Sequence, residues 1–220
     1  MSDPTFVNGK GLDVHVRTEI VRSWSYIKAA ALRIGDDILE VEGGEGLNRY
    51  WFNKEYQGKI ATIGGFPIMD AKAKRKGHMF NIDLGDGEEI EIRTYKEYVR
   101  VDFKRPKENL YANTVGILGD FTTGKKLGRD GVAIFEDYNE FGQEWQVLLS
   151  EPRLFHDIDG SKYPKKYGIP SAVEMRRRLG ESSITREDAE LACSRVISDD
   201  FDFCVFDVIT LNDKGAAGAY

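Results

Sequence analysis

The sequence predicts a mainly β fold. An antiparallel β-sandwich is expected over residues 5–150, residues 151–170 read as a linker, and a small α-helical module is expected over 171–220. Three observations carry this reading. Apolar and polar residues alternate with a period of two through much of the first half, as half-buried strands require. Turn signals recur every ~8–12 residues, the spacing of sandwiches and barrels. Past residue 150 the chain turns rich in Pro, Gly and charge, and then shows apolar residues at helical spacing.

The elements follow in order. "LDVHVRTEIV" sets Leu12, Val14 and Val16 on one face and Asp13, His15 and Arg17 on the other. "SYIKAAALRIG" is ambiguous, because Ala29, Ala30 and Ala31 also suit a helix, but its neighbours are strand-like. "DILEVEGG" places Ile38, Glu40 and Glu42 opposite Leu39 and Val41 and stops at two glycines. "RYWFNKEYQGKIATIGGFPI" reads as strands joined by turns. The plainest hairpin follows: Phe80, Ile82 and Leu84 alternate, Gly85-Asp86-Gly87 turns, and Ile90 and Ile92 resume. Next, "EYVRVDFK" sets Tyr98, Arg100 and Asp102 against Val99, Val101 and Phe103. The β character is expected to persist to about residue 150.

In the C-terminal part, "SAVEMRRRLG" reads as a short helix between Ser171 and Gly180. Thr185, with Asp188 three residues on, resembles a capping box. Ala189, Ala192, Cys193, Val196 and Ile197 recur at helical spacing, and Phe201, Cys204, Val205 and Val208 mark a second amphipathic helix.

Composition narrows the function classes. The chain has 220 residues, 41% of them hydrophobic and 31% charged, which suits one sizeable domain with or without a small appended module. A net charge of −6 argues against general nucleic-acid binding, which needs a cationic field. No apolar run approaches the roughly 20 residues of a membrane-spanning helix. "MSDPTFVNGKG" carries neither a basic nor a hydrophobic leader region, so no signal peptide is read there. The two cysteines, Cys193 and Cys204, are too few for a disulfide framework or a four-cysteine zinc site. They form one bridge between helices in an oxidising compartment, or two buried thiols in a reducing one.

The stretch "VGILGDFTTGKKLGRDG", residues 115–131, packs five glycines with acids and lysines. Gly119, Gly124 and Lys125 have the spacing of a phosphate loop, but Lys126 stands where Ser or Thr must reach magnesium. As a metal loop, Asp120, Thr122 and Asp130 supply hard oxygens for Ca²⁺, without the spacing of an EF-hand. As a plain hairpin, the same residues serve turn geometry. "HDIDGSK" at 156–162 reads as a turn. His15, His78 and His156 are scattered, with no nucleophile–base pair in sight, so no catalytic constellation is expected.

Taken together, "NTVGILGDFTTGKKLGRDG" and "DYNEFGQEWQV" resemble the end of a von Willebrand factor type D domain, with algal, diatom-like secreted members the nearest in character. The matching residues are Gly116, Gly119, Asp120, Phe121, Asp130, Phe141, Gly142, Trp145 and Val147. The C-terminal part is similar to the small helical module that follows such domains, through Cys204, Asp207, Val208, Ala217 and Tyr220. The G-D-P-H strand that usually opens the domain is absent, so the first strand is expected to be truncated. Leu118 replaces the cysteine of the family's GLCG motif, which weighs against disulfide-linked multimers.

The resemblance implies an FG-x-x-W-x-V strand at 141–147 and one Ca²⁺ held by Asp120, Thr122 and Asp130. It also implies a non-enzymatic, extracellular, structural or adhesion-type role with a matrix, glycan or protein partner. A carbohydrate- or mineral-surface-binding module is the alternative, using Tyr50, Trp51 and Tyr56 with the basic cluster Lys72–Lys76. A hydrolase ranks third. The oligomeric state is not indicated.

Overall fold

The structure is a computed structural model that describes residues 2–7, 10–21, 24–44, 49–72, 77–104, 111, 114–120, 123–148, 150–157, 180, 182–197 and 200–220. Strands β1 (Ser2–Val7), β2 (Lys10–Val21), β3 (Trp24–Ile34), β4 (Asp37–Glu42), β5 (Arg49–Phe52) and β6 (Glu55–Tyr56) form one antiparallel sheet in chain order. Strands β7 (Thr62–Ile63), β8 (Phe66–Lys72), β9 (His78–Gly85), β10 (Glu88–Tyr95) and β11 (Tyr98–Lys104) form a second, also in chain order. Each sheet is thus a meander in which every strand pairs with its sequence neighbour. The mainly β class with short C-terminal helices is as the alternation requires.

The inward positions are those the alternation marks. Leu12, Val14, Leu32, Ile34, Leu39 and Val41 from the first sheet meet Ile63, Phe80, Ile82, Ile90, Ile92 and Val99 from the second, around a fully buried Tyr111. A fully buried aliphatic or aromatic side chain contributes about 1.5–3 kcal/mol by leaving water, and burial on this scale holds the two layers together. A bulge at Lys28, where Arg17 pairs with Ala29 but Thr18 with Ile27, slips the alternation of β3 by one and turns Ile27 to the core. Two glycines let the layers close. A Cβ on Gly43 would overlap the Glu97 carbonyl in the β10–β11 turn. A Cβ on Gly64, at φ +57°, would lie 2.8 Å from the Ile34 carbonyl oxygen.

Three features differ from the sequence expectation. Ser2–Val7 forms a strand on β2, although no motif marks one there. The last described strand ends at Lys104, and the described residues of 115–135 carry only single bridges, at Val115 and between Leu127 and Ile134. The strand expected at 141–147 is instead the helix Tyr138–Glu144. Asp137 Oδ1 accepts from Glu140 N at 3.0 Å and starts that helix, as an N-cap carboxylate does.

The C-terminal module is built from the helices Arg186–Ala192 and Phe201–Thr210 and the 3₁₀ turn Lys214–Ala219. Thr185 Oγ1 accepts from Asp188 N at 3.1 Å, the cap its sequence marks. The disulfide Cys193–Cys204 joins the helices inside a separate core with Ala189, Val205, Val208 and Ala216. The helix expected at 171–180 lies outside the described residues, apart from Gly180. The module seats on the outer face of β10 and β11. Arg100 binds Asp200 at 2.9 Å and lies 4.6 Å over the Tyr220 ring, and Lys96 binds Asp213 at 2.6 Å. Tyr95 packs against Gly215.

Candidate functional site

The outer face of the first sheet brings chemically active side chains together. Register aligns His15, Ala31, Glu40, Trp51 and Tyr56 as one row across β2 to β6. The next row aligns Arg17, Ala29, Glu42 and Arg49. Ala29 and Ala31 are fully buried although their row neighbours Arg17 and Glu40 face away from the core and bind the returning chain at Asp157 and His156.

The returning segment is 151–157. At its start, Glu151 Oε2 accepts from Leu148 N at 2.7 Å, and Glu151 also pairs with Arg129. Arg129 in turn donates to the Glu144 and Gln146 carbonyls, at 2.7 and 2.8 Å, and stacks on Trp145. This one guanidinium ties the glycine-rich loop to the helix and to the strap. Leu154 is buried, and Phe155 lies under the Arg17 guanidinium at 4.3 Å.

His156 and Asp157 complete the site. The His156 amide donates to Glu40 Oε2 at 2.8 Å. Its Nδ1 lies 2.9 and 3.0 Å from the two Glu40 oxygens. The imidazole stacks on Trp51 at 4.0 Å between centroids. Arg17 holds Asp157 in a fork, at 2.5 and 3.1 Å. Burial pushes the Glu40 carboxyl above the ordinary range, against the opposing hydrogen bonds and charge of His156 and the charge of Arg17. Asp157 is displaced the other way: burial raises it, but the bonds and charge of Arg17 outweigh this and hold it low. Among the described residues, Glu40, His156 and Asp157 are the one His/Cys/Asp/Glu grouping close enough to share a metal ion.

Two carboxylates pushed apart in acidity, beside a tryptophan, have the chemistry of a glycosidase pair. Access decides against that use. Glu40 is 2% exposed, and both its oxygens face His156. Arg17 already supplies Asp157 with a cation, and a guanidinium fork at a carboxylate opposes a second positive charge there. The arrangement is an anchor that fastens the strap to the sheet.

The residues expected to hold calcium lie elsewhere. Asp120 Oδ1 accepts from Thr123 N at 2.6 Å and Thr123 Oγ1 at 2.7 Å, closing one tight turn. Asp130 Oδ1 accepts from Val132 N and Ala133 N, both at 2.9 Å, closing another. The N–H groups of Val132 and Ala133 hold the Asp130 carboxyl below its ordinary range. Thr122 lies outside the described residues.

Of the aromatics expected at a binding face, Tyr50 turns inward against Phe80 at 5.1 Å, while Trp51 and Tyr56 stay outside, 5.4 Å apart. The cluster Lys72–Lys76 falls outside the described side chains. The anchor itself was not visible in sequence, because Glu40 and His156 stand 116 residues apart. The available signal was an acid at an outward strand position beside outward alanines, which announces a covered face.

No protein-family model matches the chain, and no curated protein matches it.

Proposed function

We propose that this protein is a non-enzymatic extracellular structural or adhesion-type module of the von Willebrand factor type D kind, stabilised by one Ca²⁺ at Asp120, Thr122 and Asp130. The observation that carries the reading is how the reactive side chains are used. Glu40, His156, Asp157, Arg17 and Arg129 are spent on fastening one segment of the chain to another. The Cys193–Cys204 bridge, with both residues fully buried, supports an oxidising compartment. For the ion, Asp120 and Asp130 sit at the turns of a glycine-rich loop, and Asp130 is an exposed, readily ionised carboxylate. Carboxylates and a hydroxyl are the hard oxygen donors that calcium takes.

Thermal melts in EDTA and in excess Ca²⁺ test it. An ion at about 100 times its Kd adds about 2.7 kcal/mol to the folded state. That corresponds to a rise in Tm of about 5–10 °C for a chain of this size. Asp130→Asn abolishes the rise. Equal melting temperatures in EDTA and Ca²⁺ would sink the calcium assignment.

A carbohydrate-binding role is the second reading, favoured by the paired Trp51 and Tyr56 at the sheet edge, with Tyr56 half exposed. A glycan array separates it from pure scaffolding, and binding that survives Tyr56→Ala counts against this face.

A further inference from the structure

The anchor holds its strap with a titratable pair, where an apolar contact would give a fixed joint. Glu40 is the acceptor on β4, almost fully removed from water. His156 brings its amide donor and its ring Nδ1 to it. The same imidazole covers the Trp51 ring.

We propose that residues Glu151–Asp157 form a proton-seated strap: protons close the His156–Glu40 contact over the first sheet, and rising pH loosens it and uncovers Trp51. A protonated Glu40 carboxyl carries no charge into the site, and it shares hydrogen bonds with the His156 amide and ring. Losing that proton leaves a carboxylate charge almost fully removed from water, which is costly there.

The surrounding groups set the sign. Arg17 from β2 faces the pair, but its guanidinium is held by Asp157 of the strap. Glu42 and Arg49, one row along on β4 and β5, pair with each other at 3.8 Å. Glu151 of the strap is engaged by Arg129. Glu40 sits above the ordinary carboxylate range, chiefly by burial, so the closed strap binds protons more tightly than the open one. That contribution is present at acidic pH and is lost as the pH rises through the raised value. His15, on β2, works in the opposite direction. Burial first of all holds it low, so it favours the folded form above the ordinary histidine range. The two contributions therefore differ in sign.

Hydrogen exchange on the full chain from about pH 5 to about pH 8 reads the strap directly, after correction for the intrinsic pH dependence. The expected result is protection at 154–157 that falls with rising pH, by up to about tenfold per unit, while the β9–β10 hairpin holds steady. Glu40→Gln keeps an acceptor and removes the titration, so its strap protection becomes flat. Glu40→Ala removes the titration as well, should the first variant fold poorly. His15→Gln steepens the fall. Strap and hairpin protection that run parallel across the range would overturn the proposal. An unchanged slope in Glu40→Gln or in Glu40→Ala would overturn it equally.

Discussion

The outer face of the first sheet is covered by an irregular segment, 151–157, that has no core of its own. The outer face of the second is met by a helical module folded around the Cys193–Cys204 bridge. The strap depends on the sheet for its conformation, and one of its two charged contacts sinks into the face: the Glu40 side chain is 3% exposed, while the Asp157 held by Arg17 is 53% exposed. The module needs the sheet only for position, and neither of its pairs holds a partner as buried as Glu40, with Lys96 45% and Asp200 47% exposed at their side chains. A cover with its own core can dock through weak, partly hydrated pairs. A cover without one needs a desolvated anchor.

The sharpest way to break this contrast is to remove the disulfide. Cys193→Ala with Cys204→Ala is expected to destabilise the module by about 2–4 kcal/mol, the usual contribution of such a bridge. Calorimetry should show a separate, earlier transition, with the sandwich unmoved. One transition shifting as a whole would mean that the module is not an independent unit.

Next in size are the two arginines. Arg17→Ala and Arg100→Ala each remove charge-assisted hydrogen bonds and a cation–π contact, at about 1.5–3 kcal/mol. Protease protection should be lost at 151–157 in the first and in the C-terminal helices in the second. Loss of both regions in either variant would dissolve the distinction between the covers.

The smallest effect concerns Asp207, whose carboxyl accepts from the Tyr220 hydroxyl at 2.6 Å. Burial raises it above the ordinary aspartate range, against that hydrogen bond and the charge of Arg100. A raised acid favours the folded form while protonated, so module stability should fall as the pH rises through the raised value. Asp207→Asn should flatten that slope in melts between acidic and neutral pH. A slope that is unaltered would assign it to another group.

Legibility in the sequence followed the same division. Strands with one face in the core and one in water announced themselves: Leu39 and Val41 inward against Glu40, and the Phe80–Ile92 hairpin about its Gly-Asp-Gly turn. The alanine triplet of β3 was ambiguous because that strand is covered on both sides. Ala30 lies in the core and Ala29 and Ala31 are buried too, so no polar residue marks an outer face. The helix at 138–144 was hidden by aromatics that suit a strand equally well, and only its local cap decides. The disulfide was legible as one of two options, because two cysteines flank a turn between helical patterns. The anchor was not legible at all. Its partners share no local pattern, and only the fold makes Glu40 and His156 neighbours.

The meander order of the sheets has a further consequence for how the chain reaches this state. Every strand pairs with its sequence neighbour, so each sheet can zip up hairpin by hairpin at small loop-closure cost. The clasp between Glu40 and His156 closes a loop of 116 residues and is useful only when β4 and β5 already present their outer face. Assembly is therefore directional: the sheets set first and the strap fastens last. Quenching of Trp51 by the arriving imidazole should lag behind the gain of β signal in stopped-flow refolding.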